Sequence, residues 1–249
     1  MRKLLVSITA WLLPLTFLAA CSGASDKGER PLRPEEASLL AEVLSRNYES
    51  EGAHFRLIAR SGHDELDISI EGDVDWKNHR GYARVTGGSQ PNPVVEVWWD
   101  DKSVAEWRPA LENEVRRVIG NVSNPVLVRD PDQESRRLDQ LLAIVVGLSA
   151  KTPENAQLIL QEPDSAFLRK DSIRNQPVLV FRYGKRTVYW IHEIDKTLLR
   201  FEGNNSSGQF PILVDFEDFG SKVLTFPKNA TLVKLSEYNE LLQLIPVSP

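Results

Sequence analysis

The apolar pattern of this chain predicts an α+β fold: one domain on a long antiparallel sheet of about ten or eleven strands, with an N-terminal helix and a helical insertion in mid-chain. Two blocks of period-two alternation predict the strands, and a stretch of helical period between them predicts the insertion. No strong break in composition divides residues 35–249, which predicts a single domain.

Pro34-Glu35-Glu36 suits a helix start, with Pro tolerated in the first turn and acids favoured by the helix dipole. Leu40, Leu44 and Tyr48 then share a face that Leu39 and Val43 widen. From Ala53 the period is two: Phe55, Leu57 and Ala59 alternate with polar residues until a turn at Ser61-Gly62. In the next strand Leu66, Ile68, Ile70, Gly72, Val74 and Trp76 alternate without a fault against acidic or polar residues. A sheet apolar on one face and wet on the other is antiparallel. Strands are expected at Tyr82–Val85, Val94–Trp99 and Ser103–Trp107, and an extended region from Val115 to Val128.

Asp130-Pro131-Asp132-Gln133 resembles a capped helix start, and Leu138, Leu141, Leu142, Val145 and Leu148 form the apolar face that follows. Thr152-Pro153-Glu154-Asn155 opens a second, short helix by the same device. The period then returns to two in Val178–Tyr183, Val188–Ile194, Leu198–Phe201, Ile212–Phe216 and Val223–Phe226. Tyr238–Leu244 fits a last strand or a short helix.

The first residues carry a different message. Met1-Arg2-Lys3 is a short positive region, Leu4–Leu18 is apolar and uncharged, and Leu18-Ala19-Ala20-Cys21 ends it with small residues before a cysteine. That is the plan of a secretory signal, shorter than the ~20 residues of a comfortable membrane helix. The quartet resembles the lipobox of bacterial lipoproteins, which implies cleavage before Cys21 and attachment of diacylglycerol to its thiol. Cys21 is the only cysteine, so no disulfide explains it. Residues 1–20 are therefore expected to be a signal peptide, residues 21–34 a flexible lipidated linker, poor in apolar residues, and 35–249 the folded domain.

Without the signal, 229 residues remain, with 28 basic against 35 acidic side chains and a formal charge of −7. This balance argues against nucleic-acid binding. Catalytic signatures are missing as well. His54, His63, His79 and His192 lack the spacing of a metal pair, and Gly147-Leu148-Ser149-Ala150 lacks the second glycine of a nucleophile elbow. Asp215, Glu217 and Asp218 are close in sequence, but acids on the polar side of a strand are ordinarily just solvated. The reading is no enzyme, no cofactor and no metal. Asn121, Asn204, Asn205 and Asn229 match the glycan-acceptor pattern by coincidence in a chain with a bacterial signal. Five tryptophans follow the signal, Trp76, Trp98, Trp99, Trp107 and Trp190, all on expected strands. They can form the core, or line an apolar pocket where few helices cover a long curved sheet.

Taken together, the lipobox, the linker, a Leu-rich insertion at Leu138–Leu142, the strand Val188–Phe201 and the segment Ile212–Gly220 resemble actinobacterial lipoproteins of the LolA/LolB-like superfamily, the LppX and LprG group. The resemblance implies a curved, half-open antiparallel β-barrel whose mouth is closed by helices, and members that carry lipids, lipoglycans or acylated lipoproteins. One departure is the turn before Leu198-Leu199-Arg200, where relatives carry a glycine and this chain has Lys196-Thr197.

These features predict an exported lipoprotein held on the outer face of the cell membrane that binds a hydrophobic ligand, with the mid-chain helix as part of a lid. Strand and helix phase assign ligand contacts to Leu66, Ile68, Ile70, Val74, Trp76, Trp190, Leu141 and Val145. The alternative is an envelope interaction module whose sheet is packed solid and whose surface docks a protein partner. An open cavity separates the two.

Overall fold

The computed structural model describes residues 28–60, 67–87, 94–120, 122–204 and 211–244. The lipobox residues Leu18, Ala19 and Ala20, the lipid-attachment residue Cys21 and the expected ligand contact Leu66 lie outside them.

The chain runs β1 (Arg30–Pro31), α1 (Pro34–Glu49), β2 (Gly52–Ala59), β3 (Ile68–Asp75), β4 (Arg80–Gly87), β5 (Val95–Trp99), β6 (Val104–Trp107), α2 (Glu112–Ile119), β7 (Pro125–Arg129), α3 (Arg137–Gly147) and α4 (Ala156–Gln161). It continues through β8 (Ala166–Ile173), β9 (Gln176–Tyr183), β10 (Thr187–His192), β11 (Leu198–Asn204), β12 (Pro211–Glu217), β13 (Thr231–Lys234) and α5 (Leu235–Leu244). The strands form one open sheet in the order β1-β8-β9-β10-β11-β12-β2-β3-β4-β5-β6-β7-β13. Two meanders, β2 to β7 and β8 to β12, are thus joined by the pairing of β12 with β2. The chain crosses from one to the other through α3 and α4.

The α+β class, the antiparallel meanders and the mid-chain helices are as expected. Four details differ. The sheet has 13 strands instead of ten or eleven, and its last pair, β7 with β13, is parallel. Residues 112–119 are helical where an extended region was expected. There Leu111, Val115, Val118 and Ile119 recur at helical spacing, and Glu112 pairs with Arg116 one turn on. β8 escaped notice because Arg169, Lys170 and Asp171 break its apolar pattern, as charges on outer strands do. Residues 223–226 form no strand. They cross the sheet as a strap in which the Thr225 carbonyl accepts from Trp98 Nε1 at 2.9 Å and the Phe226 ring packs 5.0 Å from the Trp98 ring.

One face of the sheet is covered by α1, α3 and α4. It buries Phe55, Leu57, Ile70, Val74, Val214 and Phe216 from the central strands against Leu40, Val43, Leu141, Leu142 and Val145. Glycines clear space for rings here. The Phe55 and Trp99 rings meet edge-on at 6.2 Å across β3 and β4. A Cβ on Gly72 would lie 2.0 Å from the Tyr82 carbonyl, and one on Gly81 would lie 2.1 Å from the Trp99 ring. The other face carries two smaller clusters, one around Trp190 and one around Trp98.

The fold begins before Glu35, so residues 30–34 of the expected linker are structured. Arg30 and Pro31 pair with Phe167 and Ala166, and the Arg30 guanidinium lies 4.3 Å from the centre of the Phe167 ring. The same guanidinium grips Glu36 through two bonds of 2.6 and 2.8 Å, while the Arg33 amide donates to that carboxylate at 2.9 Å. Burial alone would raise the Glu36 carboxyl, but the bonds from Arg30 and Arg33 outweigh it and hold the group below the ordinary 4.5. A depressed carboxyl stabilises the fold fully above the unfolded value and loses that contribution as pH falls through the folded one. Acidification below about pH 4.5 is therefore expected to release β1, read as protease cleavage within residues 28–34. In Glu36→Gln, cleavage should already be fast at neutral pH and lose this dependence; slow cleavage in that variant would show that β1 is held by something else.

Candidate functional site

Concavities open at the sheet rim beside α3. A mostly apolar cleft of about 310 Å³ opens between α3 and the β5–β6 hairpin, walled by Trp99, Val104, Leu142, Ala143, Val146 and Gly147, with Gln133 and Asp139 also in its lining. His79, Asp100 and Asp101 stand at its mouth. The strands dictate this placement. In β5, Trp98 and Trp99 point to opposite faces, so Trp99 faces α3 while Trp98 packs beneath the strap. Trp99 is 7% exposed, and its indole N–H has no acceptor among the described residues.

Pro131 is shared with a second cleft of about 630 Å³, which is polar and bounded by the 128–132 segment, Arg136, Lys234 and the first turn of α5. A third, of about 190 Å³, lies across Trp99 toward Leu224 and Phe226.

The wall made by α3 is fixed at both ends. At its start, Arg129 of β7 holds Asp139 through bonds of 2.5 and 2.6 Å and Glu106 of β6 through bonds of 2.8 and 3.0 Å. All three side chains are nearly buried. Arg108 also donates to Glu106, and the Asp132 amide donates to Asp139 at 2.6 Å. Burial lowers the Arg129 guanidinium, but Asp139 and Glu106 outweigh that and hold it above its ordinary value. At the other end, Trp76 Nε1 donates to the Val145 carbonyl at 3.1 Å and Asn47 Nδ2 to the Leu148 carbonyl at 2.7 Å. At the mouth, burial would raise the Asp100 carboxyl, but it accepts from the Lys102 and Ser103 amides and the Ser103 hydroxyl, which keep it below its usual range.

Of the expected ligand contacts, Ile70, Val74, Trp76, Leu141 and Val145 are brought together with partly buried Ile68, but as core packing rather than as cleft wall. Trp190 is not with them. Tyr189 and Ile191 take the helix-covered side, so the alternation sends Trp190 to the opposite face, among Ile173, Val178, Val180 and Leu199 and between Arg169 and Arg200. Trp99, Val104, Ala143 and Val146, which wall the cleft, were not among the expected contacts. Ala143 and Val146 lie one step round α3 from its most apolar stripe, a position that only its packing on the sheet reveals.

The acid cluster is spoken for. Asp215 takes a two-pronged bond from Arg200, Glu217 faces Arg174 at 2.9 Å, and Asp218 faces Lys222 at 2.9 Å. His192 is buried and bonded to Asp195 at 2.9 Å. Among the described residues no three His, Cys, Asp or Glu are placed to hold a metal ion.

The fold has a solved counterpart. The structure of LprF from Mycobacterium bovis covers 81% of this chain and all of that one, at 12% identity and a TM-score of 0.52. The chain has the LprF fold. Weaker matches include the Mycobacterium tuberculosis lipoprotein LppX, over 75% of this chain and 97% of that one at 12% identity and a TM-score of 0.44. A putative outer membrane lipoprotein-sorting protein domain from Vibrio parahaemolyticus matches over 83% of this chain and 98% of that one, at 10% identity and a TM-score of 0.30. No family model and no curated protein matches the sequence. The LprF fold agrees with the lipoprotein resemblance drawn from the sequence, at the level of architecture.

Because the Arg129 cluster positions α3, Asp139→Asn should leave Arg129 with Glu106 alone. The expected loss in denaturant unfolding is about 3 kcal/mol, with faster amide exchange in the first turns of α3. A loss under ~0.5 kcal/mol would show that the ion cluster does not hold the helix.

Proposed function

We propose that this chain is an exported lipoprotein, cut before Cys21 and anchored by its lipid to the outer face of the cell membrane, that binds a hydrophobic ligand in the cleft beneath α3. Residues between Cys21 and β1 serve as its tether, and the open sheet with its covering helices is read as the half-open barrel of the LolA-like group. The reading makes it a binding protein and not an enzyme. The observation that carries it is the apolar cleft walled by Trp99, Val104, Leu142 and Val146 in a domain of LprF fold. Its volume is at the lower end of the ~300–1,000 Å³ typical of small-molecule sites, which suits one acyl chain better than several.

The second reading, an envelope interaction module, has its own support. Trp76, Ile70, Val74, Leu141 and Val145 fill the space that a deep lipid cavity would need. The two are separated by a variant that closes the cleft without harming the fold. Gly147 lies on the cleft wall in α3, and a Cβ there meets nothing within 4 Å. Gly147→Leu should leave stability unchanged or raise it by up to ~1 kcal/mol. Organic extracts of the wild-type chain, purified without detergent, should yield a stoichiometric lipid by mass spectrometry, and extracts of Gly147→Leu should yield several-fold less. Clean extracts from both would move the choice to the interaction module.

Anchoring is tested apart from binding. Cys21→Ser is expected to shift the chain from the membrane fraction to the soluble one. Unchanged membrane partition in that variant would refute the lipid anchor.

A further inference from the structure

One end of the sheet carries an apolar fringe that the core does not use. Strand registers fix which turns share that end. Gly52 of β2 faces Asp75 of β3, Asp75 faces Arg80 of β4, and Gly81 faces Trp99 of β5. The β8–β9 turn comes to the same end, because Arg174 donates to the Phe216 carbonyl at 2.7 Å and meets Glu217 at 2.9 Å, where β12 finishes. The β10–β11 turn lies there by the pairing of β10 with β9. His79, Asp100 and Asp101, at the mouth of the cleft beneath α3, stand in the β3–β4 and β5–β6 turns of this end. Ile194 in the β10–β11 turn is 72% exposed and Val223 in the strap is 91% exposed. The Gly220 amide donates to the Gly52 carbonyl at 2.9 Å, which seats the start of the strap at this end. Farther along, Leu224 and Phe226 line the small pocket that shares Trp99 and Asp100 with the cleft. Charge does not set the fringe apart, since exposed Lys77, Lys102 and Lys151 alternate with exposed Glu49, Glu51 and Asp101.

The length of chain between Cys21 and the fold says what can cover this fringe. Glu29 is held by Arg182 at 2.6 Å, and eight residues lead from Cys21 to it. At full extension they reach about 28 Å. Arg30 sits opposite Phe167 near the start of β8, and the six residues on to Ile173 rise about 20 Å toward the mouth end. A lipid on Cys21 therefore leaves slack enough for the mouth end to rest on the membrane that holds it. Exposed apolar side chains gathered at one edge are the kind of surface that enters a lipid interface. We propose that the fringe of Ile194, Val223 and Phe226 docks on the outer face of that membrane, with these side chains among the headgroups and the cleft mouth against the lipid. This deepens the preceding reading and rests on its anchor.

The test uses the lipidated chain in phosphatidylcholine vesicles. With Cys21 occupied, an introduced cysteine is the one free thiol. Val223→Cys and Val94→Cys, the second at the opposite end of β5, each receive a polarity-sensitive fluorophore. The Val223 label should shift to the blue and be quenched about threefold or more by lipids spin-labelled near the headgroup, while the Val94 label is not. Ile194→Asp, at a side chain too exposed to disturb the fold, should remove most of the quenching at Val223. Two labels quenched alike, or neither quenched on vesicles that carry the chain, would overturn the docking and leave the anchor standing. A Val223 label that turns blue only as chain density rises, without quenching by lipid, would assign the fringe to a second copy and overturn the proposal. A chain that fails to float with the vesicles would overturn the anchor and the docking together. Extraction of lipid from the cleft, as set out above, reports on ligand binding separately from either.

Discussion

Arg129 is the residue on which the arrangement of this molecule turns. It comes from β7, near one edge of the sheet, and its guanidinium is held on two sides, by Glu106 on the neighbouring strand and by Asp139 on α3. A buried ion pair adds little net stability over an apolar contact of the same size, because both charges must be desolvated. What it adds here is position. The planar fork of Arg donates to carboxylates only in set directions, so Asp139 can approach in one way and α3 has one place to start. The backbone amide of Asp132 uses the same carboxylate, which fixes the loop separating the two clefts. Both clefts inherit their shape from this cluster.

The second constraint is topological. With β12 paired to β2, the two meanders become one sheet, and any segment joining them must cross its face. α3 and α4 are that segment, which is why the mid-chain helices cover the core instead of lying at an edge. Asn47, buried in α1, meets the end of α3 as it returns, and the Ala150 and Glu154 amides donate to Leu44 and Ala41 of α1 at 3.0 and 2.9 Å. The crossing is laced to the helix that precedes both meanders.

The sequence was informative where one residue type had one job. The alternation from Ile68 to Trp76 marked β3 and its buried face. The two capped starts were placed early: α4 begins at Ala156 with Asn155 as its cap, accepting from the Gln157 amide, instead of at Thr152-Pro153, and α3 begins at Arg137, past Asp130-Pro131. It was silent where two signals competed. In 112–119 the valines favour strand, yet an acid-to-base spacing of four and apolar residues at helical intervals prevail once Tyr238 and Leu127 offer a surface to pack on. Strand phase put Ile70 and Val74 on the helix-covered face but could not place Trp190, because the face used by β10 depends on its register with β9 and β11 and on a bulge at Trp190/Ile191. Lys196 is a different lesson. Its φ of 60° is the left-handed conformation that a glycine adopts freely, so this turn carries a cost of about 1 kcal/mol. The clefts were the least legible feature. They exist between elements far apart in the chain, and Arg136 and Lys234 are unremarkable alone.

Under the proposed function, the size of ligand the cleft could take follows from what α3 would lose by moving. Leu141, Leu142, Val145 and Leu148 are each at most 5% exposed, and each is worth roughly 1.5–3 kcal/mol in burial. Adding the Trp76 and Asn47 bonds and the Arg129 cluster, lifting the helix costs on the order of 10 kcal/mol, comparable to the stability of a whole domain. A ligand can shift an equilibrium only by its differential affinity for the two states, and ~10 kcal/mol exceeds the entire binding free energy of a micromolar ligand. A multi-chain lipid that needs α3 displaced would have to supply that difference from its own burial. A single chain lying in the existing cleft pays none of it. On the lipid-binding reading proposed above, the fastening of α3 is a size limit that favours one chain at the rim while the core beneath stays packed.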